Sequence, residues 1–90
     1  MKPVKLHPST ESCVETAAQH RFRDLSQSAL RGEKMNDDTM QEIDLLRRFL
    51  ETADFPRLRA ESEGSIREGR KVTFHISETD GEVRCRMTLA

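Results

Sequence analysis

Ninety residues, 34% apolar and 34% charged, make one small domain with a thin core. Leu, Ile, Val and Phe total 19, close to a disordered composition, but a net charge of −1 lacks the self-repulsion typical of disordered chains. The near-neutral total also counts against generic nucleic-acid binding, and no run approaches the roughly 18 apolar residues of a membrane span.

The charge is unevenly spread. Residues 1–35 carry six basic and four acidic side chains, residues 36–56 two and six, and residues 57–90 seven and six. Cys13 and Cys85 stand far apart without CxxC spacing, and no basic-plus-apolar leader opens the chain. These features predict a cytoplasmic protein with two reduced thiols.

Residues 1–8, with Pro3 and Pro8 and no periodicity, are expected to form a flexible tail, leaving residues 9–90 as the single domain. A first helix is predicted from Ser9 to Arg31, capped by Ser9 or Thr10, with Val14, Ala18, Phe22, Leu25 and Ala29 along one stripe and Gly32 as its stop. The second helix starts from Asn36, with Asp37 and Asp38 at its positive end and Met35 and Met40 as a hydrophobic staple. Its stripe is Met40, Ile43, Leu46, Leu50 and Ala53, widened by Leu45 and Phe49. So broad a face predicts a central element, antiparallel to the first helix across a short link.

The segment after Ala53 reads as a third helical segment, capped by Asp54, with Pro56 in its first turn, Phe55, Leu58 and Ile66 buried, and Gly69 ending it. An edge strand over Pro56–Glu61 is the alternative; Gly64 weakens the helix by roughly 1 kcal/mol relative to Ala, but Ala60, Glu61 and Glu63 favour a strand even less.

From Lys71 to Leu89 the apolar alternation folds back at Asp80-Gly81, a type I′ hairpin signal. That turn pairs Ile76 with Cys85, Phe74 with Met87 and Val72 with Leu89 on the apolar side. It also pairs Ser77 with Arg84, His75 with Arg86 and Thr73 with Thr88 on the polar side. Turn chemistry and hydrophobic pattern independently give the same register. A lone ribbon is marginal, so its apolar side is expected to lie on the helices. The predicted fold is α+β: an antiparallel helix pair plus a short third helical segment, packed on a C-terminal two-stranded antiparallel β-hairpin.

Chemistry-bearing motifs are sparse. His75 and Cys85 sit near one another on adjacent strands, but the register points His75 outward and Cys85 inward, and no zinc, HExxH or EF-hand spacing occurs. No metal, cofactor or catalytic residue is assigned, and the chain is not expected to be an enzyme. The element order of three helices and a hairpin resembles that of winged-helix DNA-binding domains. That resemblance implies Arg57, Arg59, Arg67, Arg70 and Lys71 as nucleic-acid contacts, although Glu61, Glu63 and Glu68 are interleaved with them. The favoured expectation is a non-catalytic protein-interaction or regulatory protein, self-associating or binding another protein. Its partner surface would be His75, Arg84 and Arg86 on the outer hairpin face.

Overall fold

In the computed structural model, which describes residues 3–32 and 37–90, the elements run β1 (Val4–Leu6), α1 (Val14–Leu30), α2 (Asp37–Thr52), α3 (Phe55–Arg67), β2 (Val72–Thr79) and β3 (Glu82–Leu89). The hairpin has the register that its turn chemistry predicts. Asp80 and Gly81 both adopt positive φ, 53° and 81°, as a type I′ turn requires. Phe74 then faces Met87, Ile76 faces Cys85 and His75 faces Arg86.

The sheet has three strands rather than two, in the order β1-β2-β3. Residues 4–6, expected within the flexible tail, pair antiparallel with β2, setting Val4 against Ile76 and Leu6 against Phe74. Val4 and Leu6 flank Lys5, so a strand buries both side chains at 5% and 4% exposure while sending the ammonium outward. It also satisfies the second edge of β2, which the hairpin alone leaves bare.

α1 begins at Val14, later than predicted, with Cys13 at the N-cap position and no side-chain cap bond. The serine proposed as its cap closes a turn instead. The backbone N–H of Ser9 donates to the Ser12 carbonyl at 2.8 Å, that of Ser12 donates back to Ser9 at 3.3 Å, and Ser9 Oγ accepts from the Glu11 N–H at 3.2 Å. Val14 and Ala18 are buried, but the stripe fades toward the far end, where Ala29 is exposed and Leu30 is 87% exposed.

α2 is the central helix of the core. Leu45, Leu46 and Phe49 are buried, Leu50 and Ala53 pack partly against them, and Met40 is 60% exposed. The buried face is thus rotated toward the residues expected only to widen it. The Asn36 cap and the Met35 half of the predicted staple lie outside the described residues.

The ambiguous third segment is a helix. Asp54 Oδ1 accepts the Arg57 N–H at 3.3 Å, Pro56 lies in the first turn, and Gly69 follows the helix at a φ of 81°. Phe55 meets Phe49 edge-on, with ring centroids 5.4 Å apart. The one buried polar side chain among the described residues, Ser62, donates to the Leu58 carbonyl at 3.0 Å.

All three helices lie on one face of the sheet, where Val4, Leu6, Val72, Phe74 and Ile76 meet Val14, Ala18, Leu45, Leu46 and Phe49. Fully burying each large side chain contributes about 1.5–3 kcal/mol, against a net stability of about 5–15 kcal/mol for a domain. Arg48 reaches from α2 to the hairpin tip, pairing with Glu78 and donating to the Gly81 carbonyl.

Candidate interaction surface

Strand alternation places the residues between the core positions on the opposite face, which no helix covers. β1 contributes Lys5, β2 contributes Thr73, His75, Ser77 and Thr79, and β3 contributes Glu82, Arg84, Arg86 and Thr88. Among the described strand residues, Glu82 is the only acid on this side, and it pairs with Arg84 at 3.4 Å.

His75, Arg84 and Arg86, the surface expected from the sequence, are brought together here. Lys5 sits beside them because β1 pairs it with His75, and His7 follows, its Nδ1 3.2 Å from Thr73 Oγ1. These two neighbours were missed with β1; the Val-Lys-Leu alternation was their only signal. His75 Nε2 lies 2.8 Å from Thr88 Oγ1. Desolvation, followed by the charges of Arg86, Lys5 and His7, holds its pKa below the ordinary histidine value. The shift favours the neutral ring, and Lys5, Arg84 and Arg86 supply the fixed positive charge.

The other side of β3 differs from the expectation. Cys85 does lie on the helix side, opposite Ile76, yet the residue is exposed rather than packed. Residues of α2 and α3 line the groove beside it without closing over it. Its sulfur is nevertheless partly desolvated and faces the Glu61 carboxylate, which together push the thiol up to about 11. Val83 and Met87 are half-buried and Leu89 is 45% exposed. A shallow groove of about 260 Å³ runs between β3 and α3, with Phe49, Ala53, Leu58, Val83 and Cys85 among its walls.

Cys13 is half-buried, and its Sγ lies 3.3 Å from Thr16 Oγ1. That hydrogen bond holds its thiol below the ordinary value. Among the described residues, no three His, Cys, Asp or Glu side chains converge as metal ligands, and no helix is long and apolar enough to cross a membrane.

The residues expected under the DNA-binding alternative are dispersed and largely matched. Arg57 pairs with Glu61 at 3.1 Å, Arg67 with Glu63, and Arg70 with Glu68 at 3.6 Å. Arg59 lines a second shallow depression, between the start of α1 and α3, together with Cys13, Val14 and Phe55. Lys71 lies at the foot of β2, where its carbonyl accepts the Ala90 N–H at 2.9 Å.

No curated protein and no solved structure matches the chain. A protein-family model matches residues 3–86, from the residue before β1 to Arg86 within β3, and the chain belongs to that family.

Proposed function

We propose that this family member is a small non-catalytic interaction domain that docks an acidic protein surface on the open face of its sheet. The observation that carries the reading is the segregation of the sheet: helices occupy one side, and Lys5, His75, Arg84 and Arg86 gather on the other, where Glu82 is the only acid among the described strand residues. Oriented cationic side chains on a rigid sheet steer and select an acidic partner at low conformational cost. A second copy of this chain is a weaker version of that partner. The acids of its α2 are partly spent, Glu42 on Arg21 at 2.8 Å and Asp44 on Arg47 at 2.7 Å.

The test uses poly-L-glutamate as the probe, followed by amide and side-chain NMR shifts at low and physiological salt. Perturbation at Lys5, His75, Arg84 and Arg86, weakened about tenfold or more by the paired change Arg84→Glu and Arg86→Glu, is expected. Retention on mixed-sequence duplex DNA at physiological salt, with shifts at Arg57, Arg59, Arg67 and Arg70, would replace this reading with the DNA-binding one.

A further inference from the structure

We propose that β3 accepts an extended peptide segment of alternating acidic and apolar residues as a fourth strand. The inference rests on the interaction reading above and names its partner's chemistry. A two-residue turn makes Thr79 and Glu82 a hydrogen-bonded pair, so every second pair along the ribbon exchanges bonds: Ser77 with Arg84, His75 with Arg86, and Thr73 with Thr88. The Ala90 N–H bond to the Lys71 carbonyl continues that series. Val83, Cys85, Met87 and Leu89 therefore aim their backbone N–H and C=O groups away from β2. Among the described residues, no other segment pairs with that side.

The two open edges of the sheet are unequal. β1 offers three residues between Pro3 and Pro8, a short and blunted edge, whereas β3 offers eight residues without proline or bulge.

The register dictates the occupant. A residue added opposite Val83, Cys85 or Met87 points its side chain to the helix side, beside the half-covered apolar strip and the groove bounded by Leu58. A residue opposite Arg84 or Arg86 points to the outer face, where a carboxylate completes a cross-strand ion pair. The complement is thus apolar, acidic, apolar, acidic, apolar, and main-chain bonds hold it in the manner of strand addition. A second copy does not supply this pattern through β3 itself. The outer face of β3 carries a single acid, Glu82, and antiparallel self-pairings centred on Cys85 or Arg86 set arginine against arginine, which is destabilising.

The experiment takes the full chain with an acetylated, amidated heptapeptide of alternating valine and glutamate. Its controls are a peptide of the same composition with the glutamates in one block and a valine–lysine counterpart. The alternating acidic peptide is expected to slow amide exchange at Val83, Cys85 and Met87 by about tenfold at saturation, without changing the already paired amides of Arg84 and Arg86. The controls are expected to leave the outward amides unprotected. Arg84→Glu with Arg86→Glu should reverse the preference, losing the glutamate peptide and gaining the lysine one. Shifts confined to Lys5, His75 and the arginine side chains, without outward-amide protection, would overturn strand addition while sustaining the cationic face. An absence of any shift with either peptide or poly-L-glutamate would overturn both. Protection of the same amides in the free protein, with a dimer in sedimentation, would put a second copy in the peptide's place and overturn the proposed partner.

Discussion

β2 and β3 have the same length, the same alternation and one shared ladder, yet they occupy opposite regimes of burial. Val72, Phe74 and Ile76 are at most 1% exposed, whereas on β3 Leu89 is 45% exposed and Cys85 is open at the margin. The difference lies in coverage. β2 is the middle strand under α2 and α3, with β1 completing its other edge, while β3 lies at the rim of the helical layer. An alternating pattern tells which way a side chain points; the neighbouring layer decides whether it meets protein or water.

The sharpest test of this contrast is truncation at one cross-strand pair. Phe74→Ala should destabilise the fold by about 3–5 kcal/mol, enough to unfold a marginal domain. Met87→Ala, directly opposite, should cost only about 1–2 kcal/mol because its side chain is half-exposed already. Equal losses in denaturant titrations would erase the distinction between the strands. A gain is expected from α3, the helix beside the open strip. A Cβ added at Gly64 meets nothing within 4 Å, so Gly64→Ala should stabilise by about 1 kcal/mol and leave exchange at the outward amides of β3 unchanged.

Arg48→Ala should cost about 0.5–1 kcal/mol, the modest value reflecting side chains still 29% and 35% exposed in its pair with Glu78. Its signature should be local, with faster exchange around Asp80 and Gly81 and little change at Phe74. The smallest effect concerns protons. Because the folded-state pKa of His75 lies below its unfolded value, the unfolded chain takes up the proton first as pH falls. Any stability gained from this group is present above the unfolded value and is lost as pH falls through it toward the folded one. NMR titration should show His75 ionising below the ordinary histidine value, and Arg86→Ala should move it upward.

The hairpin register was legible because two independent signals, Asp80-Gly81 and the alternation about it, admit only one pairing. α3 was legible at its ends, where Asp54, Pro56 and Gly69 each have a positional role. β1 was hidden by brevity: Val4, Lys5 and Leu6 form a single alternation between prolines, and their partner lies at the other end of the chain. The interaction surface was half legible for the same reason, His75, Arg84 and Arg86 through the hairpin and Lys5 only through β1. Exposure of Cys85 was beyond reach of the alternation, since nothing in β3 records where the helical layer stops. The expected cap at Ser9 or Thr10 misled because a serine with an acid two residues on suits a tight turn as well as a helix start.

The pairing of Val4 with Ile76 joins segments about seventy residues apart, while the hairpin closes through two. Loop closure grows by about 0.6 kcal/mol for each doubling of the chain enclosed, so the N-terminal strand is expected to engage after the hairpin. Being three residues long, it is expected to show the fastest amide exchange of the three strands. Its departure would bare the backbone of β2 beside Phe74 and Ile76 while the rest stayed assembled, making the attachment of the first strand a control point for strand exchange and misassembly.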